Sequence, residues 1–495
     1  MLELLDGLER RLARRRHFNA VIVYGVVNAL PQLVSAVLAI LYTSAMTLKE
    51  YGGFGILSVI VGLVGIILDF GIPQAILRHY YEIHADWLAA RRYLSDMAYG
   101  ARIVALAFLP PLALIFFVAS QWFSAGQAYF ATYLLLVLSI AYFDRSSQVF
   151  NAIFRALDRP AYYAIGPLLS ATVQLGSGLI FVWVFHLGLK GALASILLSR
   201  VVAVVGSFVL LRRGLGIGEG RFHRSEMWDC LKFGLPLVPN RLAMWARASA
   251  VRPALVRVVP VAEIGLYSLG SSVASLPILL SSAVELALSP HYFRRRAAQP
   301  GDFGERALNF GSVLAAVLAP IWAVGILFSP ELVHIFAGQK FQGAAPMCAL
   351  LLCGTFVRSQ HPFLIRQVQF LRQTWILPLA TIPCAVLSIG ATLLLARQYG
   401  IVASAFGVVA ADFILYGLLA GAVRAFERVH HPIASVIGLA LLLLGLAIWT
   451  VWSGDVALAW RSEWLRAAIA VCVTVSCTAI WIWPQRLMLR QLLSG

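Results

Sequence analysis

The residues able to do chemistry are charged side chains set inside apolar runs. Arg241, Arg247 and Arg252 fall in one run, about 233–256; Arg358, followed by His361, falls in another, about 344–364. Asp412 stands at mid-depth of the run 401–423, and Glu285 near the end of the run 264–287. An ion within a membrane-length apolar segment is costly unless it faces protein or water, so each marks a candidate site. On a helix, Arg241 and Arg252 fall within about 20° of each other and about 16 Å apart along the axis, with Arg247 about 120° away, so the three could border one cavity. A plainer alternative holds for two of them: Arg252, beside Pro253, and Arg241 could each snorkel to an interface. Arg358 and Asp412 are open to two readings, a buried ion pair locking two helices, or a cation for substrate beside an acid for coupling. Arginines outnumber acids at depth, which suits an anion.

Other polar residues sit in the same kind of segment. The first run carries Asn28, Pro31 and Gln32, and the seventh Pro236, Pro239 and Asn240. These read either as ordinary kinks or as places where helices bend during transport. Asp69 closes the second run in Leu68-Asp69-Phe70-Gly71-Ile72-Pro73-Gln74-Ala75, with Arg78 after it. It reads as a helix-end polar residue, with a gating role as the sharper alternative. No nucleophile–base pair, phosphate-binding loop or metal cluster is visible, so neither an enzyme nor a cofactor is expected. The six cysteines lack metal spacing with histidine and read as small apolar fillers.

These residues need helices that cross a bilayer. The chain of 495 residues is 60% hydrophobic and 12% charged, about half the charged fraction of a soluble protein, and its mean hydropathy is +0.83. The apolar residues come in runs of roughly 20: about 19–43, 53–69, 97–118, 127–143, 161–185, 190–211, 233–256, 264–287, 308–328, 344–364, 374–396, 401–423, 433–452 and 464–484. The expected fold is an all-α polytopic membrane protein of about 14 transmembrane helices, since such runs are not the short alternating strands of an outer-membrane barrel. The net charge of +17 could suggest nucleic acid. Alternating spans instead place most Lys and Arg on one side, which reads as positive-inside topology with both termini cytoplasmic and no nucleic-acid partner. The apolar run after the arginine-rich start is too long for a cleavable signal and reads as a first span.

The chain also repeats. Glu50-Tyr51-Gly52 returns as Glu263-Ile264-Gly265, His79-Tyr80 as His291-Tyr292, Leu30-Pro31-Gln32 as Val238-Pro239-Asn240, at offsets of 208 to 213. A duplicated six-span block is a transporter architecture. The expected organisation is a basic cytoplasmic N-terminus at 1–18, an N-lobe at 19–211, a cytoplasmic linker at 212–232, a C-lobe at 233–425, and two extra helices with a tail at 426–495. The two six-helix lobes are expected to be pseudo-symmetric.

Several of these segments resemble the Wzx-type polysaccharide transporters, the oligosaccharide-lipid flippases. The resemblance rests on Glu50-Tyr51-Gly52, Asp69-Phe70-Gly71 with Ala75 and Arg78, Phe154-Arg155-Ala156-Leu157-Asp158-Arg159, Phe233-Gly234-Leu235-Pro236-Leu237 with Pro239, Glu263-Ile264-Gly265-Leu266-Tyr267-Ser268, Gly338 with Phe341 and Ala344, and Gly400. It implies two lobes around a cationic cavity, alternating access and a cargo of oligosaccharide on undecaprenyl pyrophosphate, moved across a bacterial inner membrane for O-antigen or exopolysaccharide synthesis. Its implied partners are that lipid-linked substrate, membrane lipids, and a polysaccharide polymerase with its chain-length machinery. Where the family often has an acid before the late span-seven arginine, this chain has Val251 before Arg252, which removes that coupling group. Alternatives are a lipid II flippase and a drug or cation exporter of the same superfamily. The exporter would need N-lobe carboxylates, and spans one to six offer only Asp69 and Asp144, both at the cytoplasmic edge. A membrane glycosyltransferase or polymerase would need a large external loop or a carboxylate centre, and neither is present in the sequence.

Overall fold

The computed structural model describes residues 16–84, 86–121, 127–218, 220–282, 303–370, 373, 375–426 and 433–456. Every regular element among the described residues is helical. Eight of these helices are long and apolar enough to cross a membrane, and one bent pair makes a ninth. Of the fourteen expected runs, the last lies outside the described residues. The run at 233–256 is not one helix: Leu235–Leu237 is a 3-10 turn, followed by separate helices Val238–Ser249 and Val251–Leu255. Pro236 and Pro239 have no N–H to donate, so the ladder breaks where they stand. Pro31, by contrast, sits inside an unbroken helix.

The first compact unit comprises Met1–Trp245 with Pro260–Ala262. Its helices are α1 (Arg16–Ala45), α2 (Leu48–Asp69), α3 (Ile72–Ile83), α4 (Trp87–Gln121), α5 (Gln127–Ala156), α6 (Pro160–Gly178), α7 (Gly188–Leu215), α8 (Arg224–Gly234) and most of α9 (Val238–Ser249). A capping box starts α2: the Thr47 hydroxyl accepts from Glu50 N at 3.2 Å, and Glu50 Oε2 accepts from Thr47 N at 2.9 Å. This gives the Glu50-Tyr51-Gly52 segment a local structural purpose. Helix α2 ends at Asp69 because Phe70 and Gly71 both turn left-handed, with φ of 47° and 69°, before Pro73 starts α3. A side chain on Gly71 would run into the backbone of Gly234, and one on Gly234 into Phe70 O. Both glycines are therefore required for this backbone contact. Ile76, Leu94, Phe150, Phe154, Leu210 and Met227 form a core that ties α3, α4, α5, α7 and α8 together.

The second unit comprises Ala246–Val259 and Glu263–Gly495. Its described helices are α10 (Val251–Leu255), α11 (Val261–Ala274), α12 (Phe303–Leu327), α13 (Ser329–Ala337), α14 (Ala345–Phe370), α15 (Ile376–Tyr399), α16 (Ile401–Phe426) and α17 (Ile433–Val456). Helices α12 and α13 meet at a 70° bend. Trp322 is fully buried, donates to Thr355 Oγ1 at 3.0 Å and meets the Phe356 ring edge-on. The units share an internal packing order. In the first, α4 packs on α5, α5 on α7 and α7 on α6; in the second, α12 packs on α14, α14 on α16 and α16 on α15.

Candidate functional site

In the first unit the charges form a ladder. Asp69 is 4% exposed at the C-terminal end of α2, where the helix dipole disfavours a negative charge. Two arginines offset that. Arg145 of α5 places Nη1 at 3.4 Å from Asp69 Oδ1, and Arg241 of α9 pairs with Asp69 Oδ2. Arg145 also donates from Nη2 to Asp144 Oδ2 at 2.5 Å, and Arg200 of α7 lies 3.3 Å from Asp144 Oδ1. Arg200 reaches Ser170 Oγ at 3.1 Å. Gly65 makes room for this ladder, since a Cβ there would stand 3.1 Å from Arg145 Nε. Three arginines thus share two carboxylates.

In the second unit the node is smaller and drier. Asp412 of α16 is 1% exposed. Its Oδ1 pairs with Arg247 of α9, and its Oδ2 accepts from Arg358 Nη2 of α14 at 2.9 Å. His361 Nε2 lies 3.2 Å from the Asp412 carbonyl oxygen, and its ring stacks on Tyr416 with centroids 6.4 Å apart. Gly354 leaves space beside Asp412 Oδ2. Two arginines share one carboxylate. Arg247 is almost wholly buried, while Arg358 keeps 26% of its side chain exposed. The Nε atoms of Arg145, Arg247 and Arg358 are shielded from water and have no hydrogen-bond acceptor among the described residues.

The nodes occupy matching places in the repeat. Arg358 stands 213 positions after Arg145, and Asp412 stands 212 positions after Arg200, the offset of the sequence landmarks. Helix pair α5–α7 in one unit corresponds to α14–α16 in the other. The charge is redistributed between them: the first unit has arginine where the second has Asp412, and draws its counter-charge from Asp144.

Of the expected site residues, the structure brings Arg247, Arg358 and Asp412 together in one node and joins Arg241 to Asp69 in the other. Arg252 lies apart on α10 and donates to Ser271 Oγ at 2.9 Å. Asn240 is half-buried on α9, its Oδ1 shielded and without a partner among the described residues. Arg78 is exposed, pairs with Glu82 at 3.4 Å and lies over the Phe233 ring, 4.7 Å from its centroid. Glu285, and the side chains of Asn28 and Gln32, lie outside the described residues. The sequence reading gave no site role to Arg145, Asp144 or Arg200. Arg145 sits just past an apolar run and passed for a loop charge. Extending the repeat offset to charged residues would have found it, since it falls on Arg358.

The sequence matches the family described as polysaccharide biosynthesis protein over residues 18–294. Among curated proteins it is similar to the Lsg locus putative protein 1 of Haemophilus influenzae (strain ATCC 51907 / DSM 11121 / KW20 / Rd), 24% identical over 174 residues, covering 34% of this chain and 43% of the relative. It is also similar to an uncharacterized membrane protein of the same strain, 22% identical over 200 residues, covering 40% of this chain and 49% of the relative. The chain therefore spans less than half the length of the curated relatives it matches. Among solved structures, the lipid II flippase MurJ in an inward closed conformation superposes with a TM-score of 0.70 at 14% identity, covering 93% of this chain and 98% of that one. An inward-facing multidrug resistance MATE family transporter of the MOP superfamily superposes with a TM-score of 0.59 at 16% identity, covering 82% and 99%. At such identities the likeness is one of fold.

Proposed function

The chain belongs to the polysaccharide biosynthesis protein family, a multi-pass membrane protein with the fold of MOP superfamily transporters, and from that premise we propose that it flips undecaprenyl-pyrophosphate-linked oligosaccharide repeat units across the bacterial inner membrane. One observation carries the choice of an anionic cargo: in each unit the buried node holds more arginine than carboxylate, with guanidinium N–H groups left over. A pyrophosphate is a polyanion rich in acceptors, and arginine's planar fork matches its oxygens two at a time. Arg241, Arg358 and Arg200 keep part of their side chains exposed, as an exchange of carboxylate for phosphate requires. The sugars travel in a polar path through the protein. The polyprenyl tail stays in lipid, because withdrawing it costs about 0.8 kcal/mol per methylene. Both termini face the cytoplasm, and the product passes to a polymerase with its chain-length machinery for O-antigen or exopolysaccharide.

Deleting the gene tests this. Surface polysaccharide should stop while its lipid-linked repeat unit accumulates on the cytoplasmic leaflet. Normal surface polysaccharide in a clean deletion strain that carries no second flippase gene defeats the proposal. The fold likeness to a lipid II flippase supports a second reading, which a lethal deletion with arrest of cell-wall synthesis would favour.

A further inference from the structure

Away from the arginine nodes, a second cluster of chemical groups lies where the connection between the repeats meets α4. Residues 216–218 and 220–223 are strapped along this helix. Arg91 Nε donates to Gly216 O at 2.9 Å, and Arg221 N donates to Asp96 Oδ1 at 2.6 Å. Gly220 lies against the backbone of Ser95 and Asp96, so closely that a Cβ would overlap it. At the end of the strap, Asp96 of α4, His223 and Glu226 of α8 each turn a donor atom inward, the three atoms within 4.8 Å of one another.

These groups are poorly served by the protein. Asp96 is 3% exposed. Asp96 Oδ2, His223 Nδ1 and Glu226 Oε2 are all shielded from water, and none makes a hydrogen bond among the described residues. His223 Nδ1 stands 3.1 Å from Asp96 Oδ2 without hydrogen-bond geometry. Arg92 Nε is 3.6 Å from the same oxygen, and Arg92 Nη2 is 3.3 Å from His223 Nε2, yet the Arg92 side chain is 68% exposed. A buried carboxylate and a second, shielded carboxylate oxygen beside an imidazole call for a cation held closer than this arginine holds it.

We infer that Asp96, His223 and Glu226 bind a divalent transition metal of the Zn²⁺ class, which clamps the connection between the repeats onto α4. An N,O,O donor set with one imidazole fits a borderline ion and disfavours Mg²⁺ or Ca²⁺, which take oxygen ligands alone. The 3.1 Å between His223 Nδ1 and Asp96 Oδ2 suits two donors on one small ion. Water completes the fourth position. On binding, the exposed Arg92 swings aside, His223 Nδ1 gives its lone pair to the metal, and α4 becomes cross-linked to the start of α8.

The test uses the full-length protein, purified with a tag free of histidine, stripped with chelator and titrated with Zn²⁺ alone. One Zn²⁺ per chain should bind at micromolar affinity or tighter, and Zn²⁺ should protect residues 216–223 from protease. Glu226→Gln and His223→Ala should each weaken this binding by at least about 100-fold, more than loss of an outer-shell partner does. His79→Ala should leave it unchanged. Arg92→Gln, at an exposed position compatible with folding, should bind at least as tightly as the native chain. No stoichiometric site in the native protein overturns the inference, as does full binding by folded Glu226→Gln or weaker binding by Arg92→Gln.

Discussion

Replacing Asp412 by Asn keeps the shape of the second unit's node and removes its negative charge. Arg247 and Arg358 are then left facing a neutral amide, and Asp412's site is 1% exposed, so water cannot supply the missing screening. Exposure decides the size of the effect. An ion pair on the surface is worth about 0–1 kcal/mol, whereas breaking a buried pair by removing one partner costs about 3–5 kcal/mol. Asp412→Asn should therefore lose about 3–5 kcal/mol, seen as a marked drop in the thermal unfolding temperature of the purified protein. Lys232→Ala, which breaks the exposed pair with Asp229, should cost less than about 1 kcal/mol. The combined variant Arg247→Met, Arg358→Met, Asp412→Leu removes all three charges together and should return to within about 1–2 kcal/mol of native, because apolar replacement of a whole buried ion cluster is often neutral. That variant separates the node's two roles. If the arginines guide a pyrophosphate, it should be stable and inactive, while Arg247→Lys, which restores charge but not the planar fork, should be partly active. Flipping of lipid-linked repeat units in vesicles or surface polysaccharide in a deletion strain is the assay. Full activity in the stable apolar variant refutes the anion reasoning. Unchanged stability in Asp412→Asn refutes the energetic argument.

Other outcomes follow from the same geometry. Single cysteines at positions 49, 190 and 340, all exposed, should react with an impermeant thiol reagent from outside in a cysteine-free background, and Ser225→Cys, exposed in the segment 212–232, should not; outside labelling at 225 reverses the topology. Gly71→Ala should lower stability by more than about 1–2 kcal/mol, the usual cost of left-handed backbone with a side chain, because φ is 69° and Gly234 blocks the Cβ. Gly390→Ala, with open space around it, should be neutral or stabilising by up to about 1 kcal/mol; equal effects at the two sites contradict the packing described. Burial pushes the Cys230 thiol up from its ordinary value, helped by Asp229 and Glu226 and opposed by the Tyr93 hydrogen bond. The thiolate is the reactive form, so in a chain retaining only Cys230 alkylation should be slow at neutral pH and keep rising above about pH 9.5, one unit past the ordinary thiol's pKa of about 8.5 and about where an ordinary thiol levels off. A plateau below that pH argues against burial.

The sequence by itself determined the helical membrane class and the repeat, because a bilayer admits few spanning structures and the runs of about 20 apolar residues are visible directly. It also marked Arg247, Arg358 and Asp412, since a charge inside such a run is conspicuous, and Asp69 through the Gly71 and Pro73 that end its helix. It marked Pro236 and Pro239 as points of kinking or bending in span seven, though not that the run divides into separate helices. What it could not decide was pairing. The partners of Asp69, at positions 145 and 241, lie 76 and 172 residues away, and Arg145 looks like any loop arginine until α5 is laid against α2. Arg358 with Asp412 was one of two open readings, and only packing of α14 on α16 joined them and added Arg247 as a second partner. The same holds for the strap at residues 216–218 and 220–223, whose glycines read as a linker and whose neighbours on α4 are more than 120 residues earlier. Helix formation is a local property of the chain. The neutralisation of buried charge is not, because the counter-ion comes from whichever helix the fold brings alongside.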